Sequence, residues 1–140
     1  MKAYLTRRYH FSASHRLHSS MMSDSENRET YGKCNNPHGH GHNYGLEITV
    51  SGRVDESTGM VCNLAYLDEF VEREVLERFG HENLNCLPEF EDVVPTTENL
   101  CTRIYGLLES GFSHAAVEKI RLEETLFNSF EYAGGAELLR

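Results

Sequence analysis

Alternation of apolar and polar residues marks four candidate strands along the chain. Residues 4–18, YLTRRYHFSASHRLH, and residues 40–53, HGHNYGLEITVSGR, each show this alternation. In the second stretch the apolar residues Leu46, Ile48 and Val50 alternate with other residues and so share one parity. Residues 117–133 predict two further short strands joined by a turn near Asn128 and Ser129. A period of two is typical of strands with one buried face.

Two other segments show the spacing of amphipathic helices. The first is predicted to begin after Asn63 as N-cap and to end at Gly80, and the second to begin at residues 95–97 and end at Gly111. The apolar positions of the first are Leu64, Leu67, Val71, Val75 and Phe79. Those of the second are Leu100, Ile104, Leu107 and Leu108. Both patterns predict one apolar face directed at a core.

The connections complete a strand, strand, helix, helix, strand, strand order. Residues 19–38 are polar, contain Gly and Pro, and predict a long loop, which in a compact domain is usually functional. Residues 54–61 predict a turn. Strands grouped in pairs favour an antiparallel α+β fold over a parallel sheet. The length of 140 residues predicts one domain, residues 1–140.

Composition and charge limit the class of protein. A net charge of -9 argues against a nucleic-acid partner. No apolar run approaches the length of a membrane span, and the N-terminal residues lack the apolar centre of a signal peptide. A cytoplasmic enzyme or binding protein is therefore expected. The four cysteines form no C-x-x-C pair and are expected to be free thiols.

The charge is unevenly distributed. Residues 1–53 carry seven basic and four acidic residues, a net +3, whereas the remainder carries six basic and eighteen acidic residues, a net -12. The histidine-rich stretch GKCNNPHGHGHNY, residues 32–44, lies in the basic part. A small anionic ligand is compatible with this part of the chain, although a solvated surface accounts for the same pattern.

The histidines of this stretch point to metal chemistry. His40 and His42 are two residues apart, so on a strand their imidazoles share one face. His15 lies on the other predicted strand of the pair and is a candidate third ligand. Three histidines with one open position are typical of a catalytic zinc site. From spacing alone, hydrogen-bonding or surface histidines remain the alternative.

Three further positions allow both a structural and a chemical interpretation. Cys34 is either a small buried thiol or, beside a metal or a histidine, a base or nucleophile. Glu124 shares parity with apolar strand residues, so its carboxylate either points inward toward a guanidine-like ligand edge or faces solvent. Residues 96–98 read most simply as a helix cap.

Five motifs together resemble the 6-pyruvoyltetrahydropterin synthase family. They are FSASHRL, GKCNNPHGHGHNY, TGMVCNLAYL, DVVPTTEN and EET, in the family's order over about residues 8–125. The resemblance implies the tunnelling fold (T-fold), a four-stranded antiparallel sheet with two helices. It also implies that three subunits close a twelve-stranded barrel and that two trimers stack into a homohexamer.

The resemblance further implies site residues, Zn²⁺ as cofactor, and 7,8-dihydroneopterin triphosphate as substrate. The implied zinc ligands are His15, His40 and His42. The implied catalytic residues are Cys34 and His81. The implied pterin-binding residues are Thr96, Thr97, Glu98 and Glu124. The implied reaction eliminates triphosphate and leaves a pyruvoyl side chain, with an internal redox shift and no redox cofactor.

One position departs from the family pattern, and two alternatives stand beside the main interpretation. Gly80 occupies the position before His81 where the family usually has Asp. The sister enzyme, 6-carboxytetrahydropterin synthase of deazapurine biosynthesis, usually has three residues between Cys and the H-x-H pair, whereas five separate Cys34 from His40 here. This spacing favours the pyruvoyl product. A catalytically inactive zinc-binding T-fold module is the alternative from another class.

Overall fold

A four-stranded antiparallel sheet forms the centre of the computed structural model, which describes residues 2–134. The strands are β1 (Lys2–His15), β2 (His40–Arg53), β3 (Ala116–Thr125) and β4 (Asn128–Tyr132). Each strand pairs with its neighbour in sequence, so the sheet order is β1-β2-β3-β4. The predicted α+β class and antiparallel sheet are confirmed.

Two strand boundaries differ from the prediction. β1 ends at His15 rather than at residue 18, because the side chain of Asn85 binds the backbone N–H and carbonyl of Arg16 at 2.7 and 2.9 Å. The last turn is formed by residues 126 and 127, not near Asn128 and Ser129. A hydrogen bond of 2.5 Å between the side chains of Thr125 and Asn128 closes this turn.

One face of the sheet carries the core. The three β2 residues of shared parity, Leu46, Ile48 and Val50, are fully buried, and Ile120 and Leu122 of β3 pack beside them. The opposite face is polar, with cross-strand pairs such as Arg121 and Glu47 at 2.6 Å. This alternation is expected of an antiparallel sheet covered on one side only.

The first predicted helix runs from residue 64 to 79 with an irregularity in the middle. It consists of α2 (Leu64–Val71), a π-helical turn (Glu72–Leu76) and α3 (Glu77–Phe79), and Asn63 caps it by accepting from the N–H of Ala65. Four core positions are spaced four apart, more than one 3.6-residue turn. They are Leu67, Val71, Val75 and Phe79, all fully buried. At this spacing each successive residue would rotate further around a regular α-helix. The wider π turn compensates for this rotation and keeps Phe79 in the core.

The second predicted helix is α4 (Thr97–Gly111), whose first turn lies at the end of the sheet that carries His15. The Thr96 hydroxyl caps it by accepting from the N–H of Asn99 at 3.1 Å. Leu100, Ile104 and Leu108 are fully buried against the sheet. Within residues 2–134, no helix is long and apolar enough to cross a bilayer.

The prediction of a loop over residues 19–38 was wrong in part, because this segment contains helix α1 (Asp24–Tyr31). The one buried residue of α1 is Asn27, so no apolar periodicity in the sequence predicts this helix. Ser23 and Glu26 form a reciprocal capping box, with both bonds at 3.1 Å. The sequence signal was therefore the S-x-x-E pattern rather than hydrophobicity.

Candidate active site

Three imidazoles converge where β1 ends and β2 begins. The antiparallel register places His15 opposite His40 and Ala13 opposite His42, and all three histidines share the helix-covered face. Their potential ligand atoms lie within 4.8 Å of one another. The Nε2 atoms of His15 and His40 are 3.0 Å apart. The residues implied as zinc ligands are thus brought together by strand register.

The cluster has the properties that a metal ligand set requires. The buried Nε2 of His42 has no hydrogen-bond partner among the described residues, a cost that a bound cation removes. His15 Nδ1 lies 2.8 Å from the carbonyl of Pro95, which fixes its proton there and leaves Nε2 as a lone-pair donor. Burial lowers the pKa of both His15 and His42, so these rings are neutral near pH 7. Three imidazole nitrogens as donors fit Zn²⁺ with one open coordination position.

The carboxylate of Glu124 faces the same space as the cluster. Its side chain is only 16% exposed, and its Oε1 lies 3.8 Å from His42 Nε2. The strand register shifts between Glu123 and Thr125, so Glu124 is the extra residue of a β-bulge. The bulge interrupts the ladder at this residue, while the carboxylate stays on the side of Leu122, whose parity Glu124 shares in the sequence. The Glu124 carboxylate therefore faces the histidine cluster rather than solvent.

The three residues at the start of α4 have different environments. The hydroxyl of Thr97, a residue 4% exposed, donates to Glu124 Oε2 at 2.5 Å. Thr96 uses its hydroxyl as the N-cap. Glu98 is exposed. Of the three, Thr97 is the one in direct contact with the carboxylate.

Cys34 lies in a 3₁₀ turn (Gly32–Asn35) and is partly buried. Its carbonyl accepts a hydrogen bond from Leu17 N–H at 2.8 Å, which ties the turn to the chain just after β1. Burial, and then the negative charge of Glu124, raise the pKa of the Cys34 thiol. A bound dication would act in the opposite direction. All four cysteines are free thiols, as predicted.

His81 occupies a strained position beside β1. It has φ of 60°, and its N–H donates to the carbonyl of Ser12 at 2.5 Å. The carbonyl of Glu82 accepts from Ser14 N–H at 2.9 Å, so the segment runs along the free edge of β1. The imidazole is exposed. Within residues 2–134, no hydrogen bond joins it to Cys34.

Gly80 has a steric reason to be glycine. Its φ of -65° is ordinary, but a Cβ built there would lie 2.4 Å from the carbonyl oxygen of Leu76. The same oxygen accepts the N–H of Gly80 at 2.9 Å. An Asp at this position therefore requires the backbone to move.

Two contributors to the site were missed in the sequence. Tyr44 is fully buried, and its hydroxyl lies 3.4 Å from His15 Nδ1. Its position two residues after His42 was an available signal, because it continues the same strand parity. The carbonyl of Pro95 had no such signal, since it lies 80 residues from its partner.

The fold and the site define the class of protein. It is an α+β protein with a histidine cluster that could hold a metal ion and a largely buried carboxylate at one end of its sheet. The family model described as 6-pyruvoyl tetrahydropterin synthase matches residues 4–135. The chain belongs to the 6-pyruvoyl tetrahydropterin synthase family, and its sheet and helices form the T-fold of that family.

Comparison with individual proteins agrees with this assignment. The chain is 48% identical over 132 residues to 6-pyruvoyl tetrahydrobiopterin synthase of Poecilia reticulata, covering 94% of this chain and 90% of that protein. The structure of Caenorhabditis elegans 6-pyruvoyl tetrahydropterin synthase superposes with a TM-score of 0.92 at 40% identity, covering 96% and 97% of the two chains. A putative 6-carboxy-5,6,7,8-tetrahydropterin synthase of Archaeoglobus fulgidus is 40% identical over 86 residues, 61% of this chain and 67% of that protein.

Proposed function

We propose that this protein is a zinc-dependent 6-pyruvoyltetrahydropterin synthase that converts 7,8-dihydroneopterin triphosphate to 6-pyruvoyltetrahydropterin and triphosphate. The observation that carries the proposal is the shared space bounded by three imidazoles and the Glu124 carboxylate. The family assignment supports an enzyme acting on a pterin.

Glu124 is proposed to hold the pterin ring. The ring's guanidine-like edge presents two parallel N–H donors, which match the two oxygens of a carboxylate. The Thr97 hydroxyl donates to one of these oxygens and fixes the plane of the group. Each carboxylate oxygen has a second lone pair, so the bond from Thr97 leaves both oxygens able to accept from the ligand.

His15, His40 and His42 are proposed to hold Zn²⁺ next to the side chain of the bound pterin. When bound, the ion supplies Lewis-acid polarisation of the substrate's hydroxyl groups and acidifies the adjacent C–H bonds. Pro95 and Tyr44 hold the His15 ring in the tautomer that this binding requires.

Cys34 is proposed as the general base that moves a proton between carbon atoms of the side chain, and His81 as the second proton carrier. Loss of the triphosphate breaks one C–O bond and, with a proton shift, leaves a methyl group beside one carbonyl. The second hydroxyl-bearing carbon is oxidised to a carbonyl as the C=N bond of the dihydropterin ring is reduced to the tetrahydropterin, with the protons moved between carbon and nitrogen. Because the ring is the electron acceptor, this balance needs no external oxidant. Because no hydrogen bond joins Cys34 and His81 within residues 2–134 of one chain, we propose that they meet in the assembled oligomer.

A homohexamer built as a dimer of trimers is proposed on the strength of the family and the sheet. Both outer strands, β1 and β4, offer backbone groups that pair with no further strand among residues 2–134. Three copies joined through these edges close a twelve-stranded barrel. Light scattering should give about six times the chain mass of 16.0 kDa. We also propose a cytoplasmic location, since a catalytic thiol is kept reduced there.

The decisive experiment identifies the product by mass spectrometry. The zinc-loaded protein is incubated with 7,8-dihydroneopterin triphosphate, and we expect the pyruvoyl product with free triphosphate. Release of acetaldehyde and a carboxy product would assign the sister activity, which the five-residue spacing between Cys34 and His40 disfavours. Zinc binding without turnover would identify an inactive module, although such a module has no need of the Cys34 thiol.

A further inference from the structure

Arg16 directly follows the cluster residue His15 and is held by three hydrogen bonds, two to Asn85 and one to Asn35. Its backbone N–H and carbonyl both bind the side-chain amide of Asn85, at 2.7 and 2.9 Å. Its guanidinium Nε donates to the carbonyl of Asn35 at 3.0 Å. The side chain is therefore fixed at the end of the sheet that carries the histidine cluster.

The charge of Arg16 lacks a carboxylate partner among residues 2–134. Five other arginines of the chain lie within 4.0 Å of an Asp or Glu oxygen. They are Arg7, Arg8, Arg73, Arg78 and Arg121. Arg16 is partly buried and makes no such pair. Its terminal N–H groups are thus available to an anion that is not part of the chain.

Asn35 joins Arg16 to a second donor. It is 5% exposed, and its amide nitrogen donates to the carbonyl of Leu17 at 2.7 Å and to His18 Nδ1 at 3.1 Å. Because an amide NH₂ only donates, His18 accepts at Nδ1 and carries its proton on Nε2. One buried residue, adjacent to Cys34 in the chain, therefore orients both a guanidinium and an imidazole N–H.

Arg16 and His18, together with Pro37, line both of two cavities of about 450 and 460 Å³. The further lining residues of one include His38 and of the other Arg28. Carboxylates also line these cavities, namely Glu91 and Asp92 in the first and Asp24 in the second. Arg16 and His18 therefore offer their N–H groups to both cavities, whereas each carboxylate lines only one of them.

We propose that Arg16, with His18, binds the phosphate chain of the substrate and holds the triphosphate as it leaves. A planar guanidinium fork matches two phosphate oxygens, and the imidazole N–H adds a third donor. The inference rests on the proposed function. It deepens that function by assigning the polyphosphate to the side of the Cys34 turn that Asn35 organises. The same turn then positions both the thiol and the leaving group.

The test measures binding of inorganic tripolyphosphate to the zinc-loaded full-length protein by calorimetry. Arg16→Gln removes the charge and is expected to raise the Kd about tenfold or more. Arg16→Lys keeps the charge, loses the fork, and is expected to lie between the wild type and Arg16→Gln. Arg53→Gln removes one charge at the far end of β2 and should leave the Kd unchanged.

Two further measurements separate a binding role from a structural one. Affinity for 7,8-dihydroneopterin, which has no phosphate, and zinc content should be the same in Arg16→Gln as in the wild type. The KM for the triphosphate ester should rise. Equal tripolyphosphate affinity in Arg16→Gln and the wild type, or no binding by the wild type, overturns the inference. Loss of zinc and of dihydroneopterin binding in both Arg16 variants also overturns it, since Arg16 would then only support the Cys34 turn.

This design keeps the two proposals distinguishable. Arg16-dependent binding of tripolyphosphate without turnover of the ester would contradict the proposed reaction and leave the anion site standing. Turnover with a KM that does not depend on Arg16 would support the proposed reaction and contradict the anion site. His18→Asn serves as the second variant if Arg16→Gln does not fold, and a Kd equal to that of the wild type would count against the site.

Discussion

Replacement of Glu124 by Gln tests the proposed pterin anchor with the smallest change in shape. The amide keeps the size of the side chain but exchanges one acceptor oxygen for an NH₂ donor and removes the charge. In the observed geometry one oxygen accepts from Thr97 at 2.5 Å and the other lies near His42. Whichever way the amide turns, the NH₂ replaces an acceptor and faces a donor of the ligand or of Thr97.

The expected loss follows from the burial of this pair. The Glu124 side chain is 16% exposed and Thr97 4% exposed, so water competes little for either oxygen. A hydrogen bond to a charged group contributes about 1.5–3 kcal/mol. Since 1.4 kcal/mol corresponds to a factor of ten, Glu124→Gln should weaken pterin binding about 10- to 150-fold. Glu124→Ala should also weaken it, with zinc still bound.

The assay is calorimetric titration with 7,8-dihydroneopterin, which lacks the leaving group and therefore reports binding alone. Zinc content measured by mass spectrometry should be equal in the variant and the wild type. Glu123→Gln is the matched control, because Glu123 is the adjacent residue of the same strand, is 35% exposed and lies 4.0 Å from Arg121. It should bind dihydroneopterin normally. Unchanged affinity for dihydroneopterin in Glu124→Gln would refute the proposal that Glu124 holds the pterin ring.

Three other outcomes are expected. Metal analysis of His40→Ala and of His42→Ala should show zinc lost, and full retention by both would contradict the ligand assignment. Cys34→Ser should keep zinc and pterin binding but lose turnover at least about a hundredfold, whereas Cys86→Ser, at an exposed thiol, should turn over normally. Near-normal turnover of Cys34→Ser would mean that another residue carries the proton. Gly80→Asp and Gly80→Ala should each lose about 1–3 kcal/mol of unfolding free energy, because the added Cβ meets a backbone oxygen at 2.4 Å. A folded Gly80→Asp with higher turnover than the wild type would show instead that a carboxylate is missing there.

Several features of this protein follow from local sequence alone. The parity of His40 and His42, the buried face of β2 and the caps of two helices are set by neighbours within a few residues. Such features depend on backbone periodicity and on side chains that satisfy nearby N–H groups. The strand and helix order, and with it the antiparallel α+β class, was therefore predictable without coordinates.

The hydrophobic pattern failed to predict two features, which depend on polar contacts or on irregular backbone rather than on periodicity. Helix α1 is organised around the buried amide of Asn27 rather than around apolar residues. The π turn between α2 and α3 was not predicted, although the four-residue spacing that leads to Phe79 is visible in the sequence. In both cases the energetic reason for the local structure lies in groups that come close only after folding.

The site itself was decided by tertiary structure. Register across β1 and β2 brings His15 to His40, the first turn of α4 brings the Thr97 hydroxyl to Glu124, and the Pro95 carbonyl fixes a histidine tautomer from 80 residues away. Gly80 is constrained by an oxygen one helical turn earlier, which no residue type in the sequence reveals. Periodicity determines which way a side chain points within its own element. Which side chains meet depends on how separate elements pack, because that packing is a collective property of the core.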